Sequence, residues 1–392
     1  MAKIIVGKDG QIHLPAAYRN QYPLEPGEVL YLEPSERGLA LHFARPDVQR
    51  AYIEVTTHCN LSCTMCVRQA WRDPQGSMRA GTFQAIVEGL RAFPGLKRII
   101  FGGYGEPLLH PNLVDMVAQA HSLGVGVTLL TNGLLLAPAL AEALILAGVD
   151  TLVVSLDSQH VQAYRQAGKT GGQDLVLDNL QAIHRMIRDC GWKLPALGIE
   201  YVVTQSNLEE LYQLPDLARQ AGASFVIVTN LLPHTPEMAK EIVYDRDELL
   251  NLGGGWGMHR AGWIAWGQPR LPRMKWGAVR QCRFIHDPAL VIGWDGGVSP
   301  CFALMHSYPY YIYGRRKDVT RYVLGFVGDC SLADIWTSEE YVTFRARVNS
   351  FHFPSCVDCG IDCTYAQENS DCWGNDPSCA DCLWAQGIFH CP

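Results

Sequence analysis

The apolar positions of this 392-residue chain fall into distinct regimes. From 51 to 230, short and nearly continuous apolar runs alternate with longer stretches of helical period. The runs are AYIEVT, RIIFGG, VGVTLLT, TLVVSLD, LGIEYVVT and FVIVTN. Short runs rich in β-branched and aliphatic residues, bounded by turn residues, predict strands buried on both faces. Between them, helical spacing predicts helices over 82–93, 111–123, 138–147, 175–190 and 207–221. Gly124, Gly148, Gly191 and Gly222 stand where those helices should end. Six alternating strand–helix units predict an α/β fold with a parallel sheet, open or curled into a partial barrel. Sites in such sheets lie at the C-terminal ends of the strands.

The flanks read differently. Residues 1–45 predict a small β-rich module: KIIVGKDGQIHLP as strand, Asp9-Gly10 turn and strand, AAYRNQY as helix, then two strands around a Pro/Gly turn in LEPGEVLYLEPSERGLALHF. Arg45-Pro46 marks a boundary. The α/β part then occupies 50–248. Residues 249–286 carry no acid, six Lys or Arg and four Trp, which marks 249–281 as a connecting or lid segment. The remainder, 282–392, holds the apolar runs ALVIGW and GVSPCFAL, one helix near 331–348, and a cysteine-dense tail.

A net charge of −7 argues against a dedicated nucleic-acid binder. No apolar run approaches about 20 residues, and the first residues lack a charged and apolar leader, so the expectation is a cytoplasmic protein off the membrane. In a reducing compartment, clustered cysteines predict metal rather than disulfides. Of 14 cysteines, Cys190 reads as a core residue of a helix and Cys330 as a free thiol. Seven others crowd into the 36 residues from Cys356 to Cys391, too densely for core packing.

The stretch HCNLSCTMC directly follows the first strand, with Cys59, Cys63 and Cys66 spaced C-x3-C-x2-C. One short loop at the mouth of the sheet can aim three thiolates at one point. Zinc would want a fourth ligand, for which His58 is a candidate. A [4Fe–4S] cluster held by three thiolates leaves one iron open to a ligand from solution. At the end of the second strand, GGYGEP offers glycines that permit close backbone approach and Glu106, which can accept from an ammonium; the plain alternative is a solvated turn.

This order of motifs resembles the radical S-adenosylmethionine superfamily. The resemblance implies a partial (β/α)6 TIM-like barrel. It implies an open iron that takes the amino and carboxylate groups of S-adenosylmethionine, and reductive cleavage to a 5′-deoxyadenosyl radical. Cys59, Cys63 and Cys66 would be the catalytic cluster's ligands, and Gly103, Gly105 and Glu106 would read the methionyl amino group. Ser155 and Asp157 in VSLDS stand where relatives contact the ribose or methionyl carboxylate. Asn132 in LLTNG bonds in the pocket or forms the turn. Met65 packs on the adenine or in the core.

Cys282 and Cys301, spaced C-x13-G-x4-C around Gly296, and the tail resemble the SPASM extension, an iron–sulfur C-terminal region that holds two auxiliary [4Fe–4S] clusters. Cys282 and Cys301 would join the first and Cys356 and Cys359 the second. Cys363, Cys372, Cys379, Cys382 and Cys391 supply the other ligands, in spacings that depart from the SPASM pattern and leave their assignment open. A zinc ribbon over 356–391 is the alternative.

SPASM enzymes mostly modify peptides or proteins. Two features point elsewhere. KDGQIHLPAAYRNQY and LEPGEVLYL resemble the AbrB/SpoVT swapped-hairpin module, but four Lys and Arg against five acids through Ala44 give no footprint for phosphates. That module reads as a dimerisation or docking element. The tail CWGNDPSCADCLWAQGIFHCP resembles maturases of tungsten-containing aldehyde:ferredoxin oxidoreductases. This implies action on a tungstopterin cofactor or its enzyme, a reduced ferredoxin or flavodoxin as donor, and an anaerobic setting. Arg270, Arg273, Lys275 and Trp276 are candidates for substrate phosphate or ring. A peptide-modifying maturase is the alternative, and a metal-binding transcription regulator a distant one.

Overall fold

The computed structural model describes residues 8–9, 11, 15–21, 27–35, 38–156, 172–244, 280–312, 314–356, 359 and 368–389. Six strands, β3 (Arg50–Ile53), β4 (Arg98–Phe101), β5 (Gly126–Thr131), β6 (Thr151–Ser155), β7 (Ala196–Val203) and β8 (Phe225–Asn230), run parallel and neighbour each other in chain order. Each coincides with one of the six apolar runs. Their central residues, such as Ile99, Ile100 and Phe101, are fully buried because helices cover the sheet.

The helices follow the predicted periods. Phe83, Ile86, Val87 and Leu90 form the buried stripe of α2 (Ala80–Leu90), and Leu113, Met116, Val117 and Ala120 that of α3 (Leu113–His121). Next come α4 (Pro138–Ala147), α5 (Gly172–Asp189) and α6 (Leu214–Ala221). Gly148 caps α4 at φ +108°, a conformation that other residues adopt only with strain, and the other three predicted caps also have positive φ. Two expectations for this part of the chain needed correction. The helix read over 207–221 is instead a 3-10 stretch (Gln205–Gln213) followed by α6, because Pro215 restricts the residue before it and can only enter a first helical turn. Cys190, read as a core residue, is exposed just past α5.

The C-terminal region extends the same sheet. After α7 (Arg283–His286), β9 (Ala289–Ile292) adds parallel to the free edge of β3, with Ile53 opposite Ile292. Then β10 (Gly297–Ser299) and β13 (Gly325–Phe326) continue it antiparallel, giving nine strands. Between them β11 (Tyr308–Ile312) and β12 (Arg315–Val319) form a hairpin. The helix expected near 331–348 is two: α8 (Leu332–Thr337) and α9 (Glu339–Asn349). Ser338 breaks it by turning extended, with its hydroxyl accepting from Tyr341 N as the cap of α9.

Of the N-terminal module, the structure describes α1 (Ala16–Gln21) and the antiparallel pair β1 (Leu30–Ser35) and β2 (Gly38–Phe43). Tyr31 bonds Thr337 O, and Trp336 Nε1 bonds Arg45 O and Asp47, which ties the module's end to the C-terminal region. No described helix is long and apolar enough to cross a membrane.

Candidate functional site

A cavity of about 280 Å³ opens at the C-terminal ends of β3 to β8. It gathers nine of the predicted residues: Cys59, Cys63, Cys66, Met65, Gly103, Gly105, Glu106, Asn132 and Ser155. Asp157 lies outside the described residues, as do Cys363, Cys391, Arg270, Arg273, Lys275 and Trp276.

The three thiols lie on the loop between β3 and a 3-10 turn (Val67–Ala70). Arg68, on that turn, clasps the loop by donating to Thr57 O at 3.1 Å and Leu61 O at 2.9 Å. Burial pushes the Cys59 thiol up. A bond from Leu61 N and the Arg68 charge pull against this, while Glu106 and Cys66 add to the rise. His58, the candidate fourth ligand for zinc, is exposed and does not line the cavity.

Glu106 does more than the sequence suggested. Its carboxylate, 2% exposed, accepts from Thr131 Oγ1 at 2.7 Å, Leu108 N at 3.0 Å and Asn132 N at 2.8 Å. Its own N–H donates to His58 O at 2.8 Å. It therefore joins the loops after β3, β4 and β5 while facing the cavity. The glycines beside it serve the same joint. A Cβ on Gly105 would stand 2.0 Å from Thr56 O, and one on Gly103 2.6 Å from the Glu54 carboxylate. Loop-on-loop contact thus already demands glycine there, before any ligand approaches.

Asn132 Oδ1 accepts from Leu134 N in the turn, and Nδ2 donates to Asn60 Oδ1 at 2.8 Å in the cysteine loop. Ser155 donates to Glu200 Oε2 at 3.2 Å. Sequence reading missed Glu200, though a lone acid inside the apolar run LGIEYVVT was a visible signal. It also missed Arg68 and Thr131. Phe302, Trp384 and Phe389 of the C-terminal region form the far wall. Asn230 anchors that wall by donating to Ile388 O at 3.0 Å.

A second thiol group lies in the C-terminal region. Cys282, Cys301 and Cys379 are buried and Cys382 is half-buried. Burial pushes Cys282 up to about 12, with the Cys382 charge adding to it. It raises Cys301 well above the ordinary range, with Cys382 and Cys282 adding, and Cys379 likewise, with Cys382, Cys301 and Cys282 adding. The four therefore feel one another through a buried medium. Lys317, bonded to Asp381 at 2.5 Å, supplies a cation beside them. Cys356 is buried and pushed up to about 12 by burial, with the charges of Asp381 and Cys372 adding to it; Cys359 and Cys372 are exposed. Among the described residues, no three His, Cys, Asp or Glu side chains already stand at metal-binding geometry. The donor chemistry of both groups, thiols in excess, is nonetheless that of iron–sulfur ligation.

Comparison with known proteins bears on these groups directly. Residues 53–203 match the Radical SAM superfamily, and 282–364 match SPASM, an iron–sulfur cluster-binding domain. The chain is 39% identical over 358 residues to the tungsten-containing aldehyde ferredoxin oxidoreductase cofactor-modifying protein of Pyrococcus furiosus, covering 87% of this chain and 96% of that one. It is 30% identical over 184 residues to a PqqA peptide cyclase of Granulibacter bethesdensis, covering 45% and 46%. Its fold resembles Streptococcus suis SuiB bound to precursor peptide SuiA, with a TM-score of 0.54, 16% identity, and coverage of 78% and 68%. With its cluster-loop thiols at the sheet mouth and a second thiol group downstream, the chain belongs to the radical S-adenosylmethionine superfamily, in the family of that Pyrococcus cofactor-modifying protein.

Proposed function

We propose that this chain cleaves S-adenosylmethionine at the mouth of its sheet and uses the radical chemistry to mature a tungstopterin cofactor or the tungsten oxidoreductase that holds it. The observation that carries this reading is the 39% identity to the Pyrococcus cofactor-modifying protein, which extends over 96% of that protein and so well beyond a shared radical core.

Cys59, Cys63 and Cys66 hold the [4Fe–4S] cluster, which supplies the electron for cleavage. Gly103, Gly105 and Glu106 present backbone and carboxylate to the methionyl amino group. The Ser155–Glu200 pair, with Asp157 beyond it, takes the ribose or methionyl carboxylate, Met65 packs on the adenine, and Asn132 keeps the cysteine loop in place. Cys282, Cys301, Cys379 and Cys382 hold a first auxiliary cluster. Cys356, Cys359, Cys363, Cys372 and Cys391 supply the ligands of a second. Ferredoxin or flavodoxin donates the electron, Arg270, Arg273, Lys275 and Trp276 meet the substrate's phosphate or ring, and the N-terminal module pairs two chains.

The test supplies anaerobically reconstituted protein, S-adenosylmethionine and reductant with the tungsten enzyme from cells that lack this protein, or with candidate peptides. A mass change in the pterin or its enzyme, in step with 5′-deoxyadenosine, supports the proposal. A mass change confined to a peptide would replace it with the second reading, which the PqqA peptide cyclase match favours. Replacing Arg270, Arg273 and Lys275 by alanine should abolish that mass change and leave uncoupled cleavage intact.

A further inference from the structure

Behind the Gly103–Glu106 loop lies a buried ionic cluster that the chemistry above does not use. Its centre is His306, 1% exposed, from the C-terminal region. His306 Nε2 stands 2.8 Å from Oε2 of Glu54, also 1% exposed, which directly follows β3. Nδ1 stands 3.5 Å from Asp73 Oδ2, an ion contact too long for a strong hydrogen bond. The Trp71 ring stacks on the imidazole with centroids 3.9 Å apart, and Tyr104 meets it edge-on.

Each partner belongs to a different segment of the site. Asp73 and Trp71 lie just past the cysteine loop. Asp73 also accepts from Ser307 N at 2.6 Å. Glu54 Oε1 accepts from Tyr104 N at 2.9 Å, and its carboxylate is what a Cβ on Gly103 would strike. The Tyr104 hydroxyl donates to Phe302 O at 3.4 Å. The exit of the cysteine loop, the GGYGEP loop and segment 302–307 therefore meet on one imidazole. Glu54 and Asp73 are the charged groups that face it. Burial alone would lower the pKa of His306, but their charges and hydrogen bonds outweigh it and push it up to about 9, so the ring is charged at neutral pH. A neutral side chain here would leave Glu54 a buried carboxylate without a cation.

We infer that His306 is a positioning residue for S-adenosylmethionine: by bridging Glu54 and Asp73, it holds the GGYGEP loop and the exit of the cysteine loop against the C-terminal region. The cosubstrate site then has its working shape only when that region is docked. This inference rests on the reading of the sheet mouth as the S-adenosylmethionine site.

The test titrates S-adenosylmethionine into reduced, reconstituted protein and reads Kd from the change in the cluster's electron paramagnetic resonance spectrum, with iron content and Tm as controls. His306→Gln should raise Kd about tenfold at full iron content, the scale seen when residues supporting a metal site are lost. Adding Glu54→Gln removes the unpaired carboxylate and should recover much of that loss. Asp73→Asn should shift Kd the same way by less. The wild-type Kd should weaken as pH rises through about 9, and that step should vanish in His306→Gln. A His306→Gln chain of full iron content with wild-type Kd overturns the inference. If that single variant loses its iron, the other two decide: recovery in the double variant supports the inference, and no recovery with an unshifted Asp73→Asn overturns it. A wild-type chain whose spectrum ignores S-adenosylmethionine would instead defeat the reading of the site itself.

Discussion

Two thiol groups in one chain differ in what surrounds them. Cys59, Cys63 and Cys66 line an open cavity walled by six strand ends, with polar side chains from five of those ends, β4 to β8, converging on it. Cys282, Cys301 and Cys379 are sealed in, and burial holds their pKa values far above the ordinary range. The first arrangement opens its thiols onto a cavity that can take a ligand; the second keeps its thiols away from solvent. The same side chain thus meets two different surroundings within one chain, and surroundings tune what a bound iron–sulfur cluster can do.

The contrast can be broken from the sealed side first. Replacing Cys379 and Cys382 by alanine should remove about four of roughly twelve irons per chain and lower Tm, while uncoupled cleavage of S-adenosylmethionine survives. Iron quantitation after anaerobic reconstitution checks this, and an unchanged count would separate these two cysteines from Cys282 and Cys301.

On the open side, Glu106→Gln is the sharper probe. Three donors converge on that carboxylate, and an amide NH2 cannot accept from any of them. Loss of a hydrogen-bonded buried charge costs about 2–3 kcal/mol, so the Kd for S-adenosylmethionine should rise about 30- to 150-fold in a spectroscopic titration. Gly105→Ala should act through the backbone instead. Its Cβ would collide with Thr56 O at 2.0 Å, and overpacking of this kind costs about 1–3 kcal/mol, visible in the denaturant midpoint.

The smallest effect is in pH. His306 has a folded pKa raised to about 9 from an ordinary value near 6.5, so its contribution to stability is complete below about 6.5 and lost as pH rises through 9. The difference in unfolding free energy between wild type and His306→Gln should shrink over that window. A constant difference would mean that charge is not what the ring contributes.

The strands were legible because an apolar run of the right length has few other solutions inside an alternating pattern. The cysteine loop, GGYGEP and LLTNG were legible because each is local and falls at a strand end. What escaped was long-range. Glu54 and His306 lie 252 positions apart, and nothing in the spacing pairs them. The grouping of Cys379 and Cys382 with Cys282 and Cys301 likewise depends on how the tail returns to the sheet. Cys190 misled because it ends a helical pattern, and the last turn of a helix need not face the core.

The most direct measurement is 5′-deoxyadenosine released by anaerobically reconstituted, reduced protein supplied with S-adenosylmethionine. Wild type and the Cys379→Ala, Cys382→Ala chain should both release it. The chain with Cys59, Cys63 and Cys66 replaced by alanine should release none. Release by that triple variant, or its loss only when the sealed thiols are changed, would contradict the assignment of the open site.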